Sequence, residues 1–536
     1  MTASPVRGRR RRAAGATWGA AWLLSLAPAT AAAQRAVVRP LGPPIDSIAF
    51  TSRNVFDPDE ADKNLLFALM NAFHIKTQRY VVGQELLFAE GEAYDSAAVA
   101  ETARNLRALG LFRDVDIDTV RVNGLLVLRV NTADAWTTTV QAEAQSTGGQ
   151  LEWGLGLKEK NLLGTATLGR AKFRNKVDRE EVTLEASQNR LFGTGIRAHT
   201  RFDLLSDGDN GEWTFGVPFR AFGDRQSWEL PGRFALRREL QFRDGALFRQ
   251  FWHRMFRQSA RVAFAPVADE MEYLRVGGTA QVKRDEYLAI ADTSLAIPDT
   301  VRAAFAGFVE FAKARFKVTQ YYLAFRRDVD VDLSTRAAFS LWVAPEPFGY
   351  DRWGVGPSLQ AQTAVSIGKN FVKFEIDANG LFTSAGLDSG QVKGIVTAVS
   401  QILPRQATVI RVEATVQDDP APSREIDLGL GVGLRGFAAH AFTGTRSIWG
   451  TIEQRLFLVD EFLDLFGIGL AGFLDYGGAW FPDQPVRLGG NAGFGLRLSS
   501  VRAGDVTVGR LDLAYRFGEG FDGNRWVFTF GRAVSF

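Results

Sequence analysis

Leu434-Arg435-Gly436-Phe437, Glu453-Gln454-Arg455, Phe473-Leu474-Asp475-Tyr476-Gly477 and Gly493-Phe494-Gly495-Leu496-Arg497 follow one another ahead of a terminal run that ends in Phe536. Side chains alternate across an extended strand, so Phe473, Asp475 and Gly477 share one face while Leu474 and Tyr476 take the other. Asp475 must therefore point into water or protein. The same alternation puts Glu453 and Arg455 together on the preceding strand, and Gly493, Gly495 and Arg497 together on the following one. Three consecutive strands thus aim Glu453, Asp475 and Arg497 to one side, with glycines that leave room for another segment of chain. The loop carrying Arg435 is the expected occupant, because a guanidinium offers five donors in a fixed fork and bridges carboxylates on neighbouring strands. A lone Leu-Arg-Gly-Phe would be an ordinary turn; its companions give it meaning.

In this order the motifs resemble the BamA/TamA-like outer-membrane insertase and two-partner-secretion transporter superfamily, also called the bacterial surface antigen family. The resemblance implies an in-folded sixth extracellular loop, here 418–447, whose tip enters a barrel lumen. It implies a loop lock formed by Arg435, Gly436, Phe437, Glu453, Asp475, Gly477 and Arg497. It further implies a transmembrane antiparallel β-barrel of sixteen strands, insertion or translocation of polypeptide clients without nucleotide or other cofactor, and assembly by the barrel assembly machinery.

The rest of the chain reads compatibly. Residues 1–33 carry Arg7 and Arg9 to Arg12, an apolar run from Ala13 to Ala29, and Ala31-Ala32-Ala33. That is the pattern of a secretory signal peptide, cut before Gln34. The formal charge of +3 falls to −2 once those five arginines are removed, so the high pI is no nucleic-acid footprint. Cysteine is absent, which leaves no disulfide framework or lipidated cysteine. No later stretch offers eighteen consecutive apolar residues, so a membrane-spanning chain of this kind spans with strands.

A proline-containing linker, 34–44, precedes a small α+β domain at 45–133. Ile45 to Thr51 alternates as a strand. Residues 95–109 place Val99, Ala103, Leu106 and Leu109 on one helical face, with Gly110 as the stop. Two strands, Asp114 to Val120 and Leu125 to Asn131, flank an Asn123-Gly124 turn. The pattern resembles one POTRA domain, the periplasmic module of the same superfamily. Residues 56–76, with Leu65, Leu66, Leu69, Met70 and Phe73 at helical spacing, read as an inserted helix packed on the core. POTRA modules take up clients by adding a strand to a sheet edge.

From Trp136 to Phe536 the chain becomes short alternating runs between Gly, Asp and Asn, such as Leu151 to Lys158, Val182 to Gln188, Val372 to Asn379 and Ile410 to Gln417. Such a dyad pattern suits a lipid-facing exterior and a polar lumen. Backbone groups in hydrocarbon must all be paired, so the sheet has to close. A direct count of these runs gives about twenty, against the sixteen implied by resemblance, and long strands or extracellular excursions between Arg225 and Thr300 are the expected reason for the surplus. In the terminal run Trp526, Phe528, Phe530 and Phe536 share a face, which resembles the C-terminal signature of barrels delivered to the outer membrane. The first barrel strand, Thr137 to Ser146, offers only Val140, Ala142 and Ala144 to meet that face, so the two form a plausible opening seam. The Arg435 loop is expected to brace the wall opposite it.

Other chemistry finds little support. Gly431 to Gly436 spells G-x-G-x-x-G, but no helical pattern follows. The four histidines show no metal-ligand spacing, and no G-x-S-x-G is present. The chain is therefore read as no enzyme. A passive porin or structural barrel is the alternative function.

Overall fold

The computed structural model describes residues 42–532 apart from 63–64, 221, 244, 270, 291–296, 324, 326–328, 423, 431–432, 463–465 and 501–507. The signal peptide, most of the linker and Phe536 lie outside the described residues.

Near the N-terminus three strands form a mixed sheet. Ser47–Arg53 pairs parallel with Leu125–Asp134, which pairs antiparallel with Phe112–Val122. Asn123 and Gly124 both take positive φ, 53° and 86°, the geometry a tight hairpin needs. The helix Ser96–Ala108 covers the sheet with Val99, Ala103 and Leu106, which join Ile45, Leu111, Leu128 and Val130 in one core. Gly110 follows the helix at φ 64°, a conformation that suits glycine. The inserted helix forms at Leu65–Phe73 and packs through Phe67 on Phe56, but part of the apolar stripe expected in the core faces outward. Leu65 and Phe73 are 77% and 79% exposed.

The rest of the described chain closes into an antiparallel barrel of twenty strands, from Thr138–Thr147 to Trp526–Arg532. The sixteen implied by resemblance is corrected; counting alternating runs came nearer. Gln226–Arg243, Ala246–Ala268 and Glu272–Ala289 are long, as expected, at 18, 23 and 18 residues. They are not excursions that inflate the count, because each pairs with both neighbours along the wall.

Alternation sorts the wall into two surfaces. Leu151, Trp153, Leu155 and Leu157 are exposed on the outside, whereas Arg411, Glu413, Thr415 and Gln417 share the inner face of their strand. No helix among the described residues is long and apolar enough to cross a membrane.

The N-terminal unit is fixed to one end of the barrel. Gln78 N–H donates to the Gly164 carbonyl at 2.9 Å, Asn161 Nδ2 donates to Thr77 Oγ1 at 2.8 Å, and Arg190 Nε donates to Glu85 Oε1 at 2.5 Å. We call this end proximal and the other distal.

Candidate functional site

The distal connection between Gln406–Asp418 and Arg446–Phe462 folds into the lumen. At its base Ile426–Leu428 pairs with Phe442–Gly444, and Leu428, Leu434, Phe437, Ala441 and Phe442 pack against Trp449 and Ala479 of the wall. This apolar packing delivers Arg435 to the acids. Arg435 Nε and Nη2 donate to Asp475 Oδ2 and Oδ1 at 2.8 and 3.0 Å, and Nη1 donates to Glu453 Oε2 at 2.6 Å. The guanidinium carbon lies 4.0 Å from the centre of the Phe473 ring. Gly436 N–H donates to Asn491 Oδ1 at 3.1 Å, and Phe437 is fully buried.

The sequence-predicted set is thus brought together. Glu453 also receives Arg497 Nη2 at 2.9 Å and Arg455 Nε at 2.8 Å. Gly477 has φ 155°, and a Cβ there would lie 2.3 Å from the Ile448 carbonyl oxygen, so no side chain fits.

Sequence reasoning missed the second half of the network. Asp512 accepts from Arg497 Nη1 at 2.5 Å and from Arg510 Nη1 at 3.0 Å, and Arg510 Nη1 also donates to Thr529 Oγ1 at 3.1 Å. Thr451 and Asn491 donate to Asp475 at 2.7 and 2.8 Å. The alternation argument, carried one strand further to Arg510-Leu511-Asp512, would have found the third acid. Arg435, Arg455, Arg497 and Arg510 and the carboxylates of Glu453, Asp475 and Asp512 are all at least 95% buried. Charges so placed persist only when paired and hydrogen-bonded, as these are.

The network lies beside the seam, which corrects the expected brace on the opposite wall. First and last barrel strands share one registered pair among the described residues, Phe530 with Ser146. By contrast, seven pairs join the last strand to Val508–Gly518 and ten join the first to Gln150–Leu162. Arg510 reaches Thr529 on the last strand from one side. From the other, Ala439 N–H donates to Gln150 Oε1 at 2.6 Å, and a Cβ on Gly148 (φ 59°) would lie 2.1 Å from Ala438 N. The loop therefore meets the turn after the first strand, where a glycine at 148 lets the two backbones approach, and through Arg435 it lies 3.7 Å from Asp512 on the strand before the last. Trp526 and Phe528 point outward and exposed, with Phe530 half-buried, whereas Val527 and Thr529 face the lumen.

His440 adds a further tie. Its Nδ1 lies 2.5 Å from Asp427 and its Nε2 3.1 Å from Asp178 in the turn after Thr167–Asn175, with the ring stacked 3.5 Å from Phe242. Burial opposes the charged ring, but hydrogen bonds from it to Asp178 and Asp427 outweigh that and push His440 up to about 9.

A second segment occupies the proximal lumen. Between Thr300–Lys313 and Thr335–Ala344, the hairpin Phe316–Thr319 with Val329–Asp332 folds inward. Tyr322, Phe325, Val331 and Leu333 pack on Ala364, Phe371, Val399, Val409 and Phe457. Arg455 Nη1 donates to the Tyr322 carbonyl at 2.8 Å. One arginine thus touches both this plug and, through Glu453, the distal loop.

No family model matches the chain, and no curated protein matches it. Among solved structures, it is similar to BamA from Haemophilus ducreyi lacking POTRA domains 1-3, with 12% identity, 90% of this chain and 84% of that one covered, and a TM-score of 0.45. It is also similar to CdiB from Escherichia coli, with 11% identity, 96% and 93% covered and a TM-score of 0.47. For CdiB from Acinetobacter baumannii the figures are 10%, 92% and 74%, and 0.46. This likeness is one of fold.

Proposed function

We propose that the chain is an outer-membrane barrel of the BamA/TamA-like superfamily, which assists insertion or translocation of polypeptide clients without nucleotide. In this reading the proximal end faces the periplasm and the N-terminal unit is a single POTRA-like domain. The seam, which has one registered pair among the described residues and an in-folded loop packed beside it, carries the reading. A closed barrel gains its stability from continuous pairing, so a seam with one registered pair among the described residues is where the wall opens at least cost.

The edge strand Phe112–Val122 supports the capture step. Among the described residues it pairs on one side only, which leaves a row of backbone donors and acceptors for an extended client. Trp526, Phe528, Phe530 and Phe536 would serve as the signature by which the chain itself is delivered to the membrane. The porin alternative is weakened by the two segments that occupy the lumen.

The test exploits the absence of cysteine. Ser146→Cys with Phe530→Cys places two thiols on directly opposed residues, at a spacing a disulfide accepts. In proteoliposomes the native chain should accelerate folding of a reporter barrel. The oxidised double variant should lose that activity and regain it on reduction. Equal activity in both redox states would refute opening at the seam.

A further inference from the structure

The helix Leu65–Phe73 has one face committed to its own domain and one that is not. Phe67 stacks on Phe56 with ring centres 4.1 Å apart. Asn71 holds the Phe56 backbone in both directions, accepting at 3.1 Å and donating at 2.9 Å. On the other side Leu65, Leu69 and Phe73, at i, i+4 and i+8, are 77%, 46% and 79% exposed, and Ile75 continues the stripe.

That stripe is held at the barrel rim. His74 Nε2 lies 2.9 Å from Asp134 at the end of the last domain strand, and Thr77 N–H donates to the same carboxylate at 2.7 Å. Gln78 Nε2 donates to the Leu163 carbonyl at 3.0 Å. A Cβ on Gly164 would lie 3.4 Å from Ile75 Cγ2. The turn it joins carries exposed Leu162 and Leu163, where the outer apolar surface of Leu155 and Leu157 reaches the proximal rim. The apolar stripe therefore runs, through Ile75, to the turn that carries Leu162 and Leu163 on the outer surface of the barrel.

We propose that this helix is an interfacial membrane anchor whose partner is the glycerophospholipid surface around the proximal rim. Large apolar patches exposed on one side of a helix mark such contacts, and a short amphipathic helix lies in the plane of the headgroups with its apolar face in the acyl boundary. Anchored so, the N-terminal unit is held at a fixed tilt to the bilayer, which aims the edge strand Phe112–Val122. The inference requires that the barrel span a bilayer and does not depend on client handling.

Leu69→Cys, Phe73→Cys and Asp116→Cys variants of the full chain, each carrying an environment-sensitive nitrobenzoxadiazole label, would be folded into phosphatidylcholine and phosphatidylglycerol vesicles with and without doxyl-labelled lipid. Folding is verified by heat-modifiable mobility. Labels at 69 and 73 should emit at shorter wavelength and be quenched by doxyl lipid about two-fold or more beyond the label at the exposed edge-strand position 116. Equal quenching at all three positions would overturn the anchor. So would labels at 69 and 73 shielded from both doxyl lipid and aqueous iodide, which would mean that protein covers the face.

Discussion

Phe530 on the last barrel strand faces Ser146 on the first as the one registered pair across the seam among the described residues. The in-folded loop packs beside that seam, tied through Arg435 to Glu453 and Asp475 on one side and through Ala439 to Gln150 on the other. Weak pairing in the wall and strong pairing of the loop occur at the same place.

Arg435→Ala should therefore be costly. It leaves Asp475 with neutral donors, Thr451, Asn491 and the backbone N–H of residue 435, and breaking a buried pair by removing one partner costs about 3–5 kcal/mol. Urea titration of the heat-modifiable folded band should show a loss of that order, with Arg435→Lys intermediate because an ammonium lacks the fork. An unchanged midpoint in the alanine variant would mean that the clasp carries no stability.

Gly477→Ala tests the backbone requirement. Its positive φ costs about 1–3 kcal/mol for an alanine, and the added carbon collides with the neighbouring strand. Gly472→Ala, where a Cβ meets nothing within 4 Å, is the matched control. The first should assemble poorly in a barrel-folding assay and the second normally.

His440 makes the loop pH-sensitive on the alkaline side. Its folded pKa of about 9 lies above the ordinary histidine value of 6.5, so its contribution is complete below about 6.5 and is lost as pH rises through about 9. Asp178 is held below the usual carboxylate range: burial opposes this, but the hydrogen bond from His440 prevails. Its contribution is present above that range and lost as acid protonates it. Hydrogen exchange over 433–441, corrected for the intrinsic rate, should rise between pH 7 and 10. His440→Ala should abolish the step.

The proximal plug should limit conductance. Replacing 316–332 by a short Gly/Ser connection removes Tyr322, Phe325 and Val331 from the apolar floor formed by Phe371, Val399 and Phe457. Planar-bilayer recordings should change from small flickering openings to steady, several-fold larger ones. Unchanged currents would place the barrier elsewhere.

Much of the clasp was legible in the sequence because strand alternation is local: Glu453, Asp475 and Arg497 must share a side whatever surrounds them. The helix Ser96–Ala108 and the Asn123-Gly124 hairpin were legible for the same reason, their signals lying within a few residues of chain. Strand number was not, because it depends on closure, a property of the whole sheet. Alternation between Gln226 and Ala289 marked strands without saying that each joins the wall. The pairing of Asp512 with Arg497 and Arg510, the meeting of Gly148 with Ala438 and the approach of Arg455 to Tyr322 were decided only in three dimensions. They depend on the stagger of one strand against the next and on contacts between residues up to hundreds of positions apart. The exposed face of Leu65, Leu69 and Phe73 carries the same lesson: helical periodicity determined that an apolar stripe exists, and only the tertiary structure decided which way it faces.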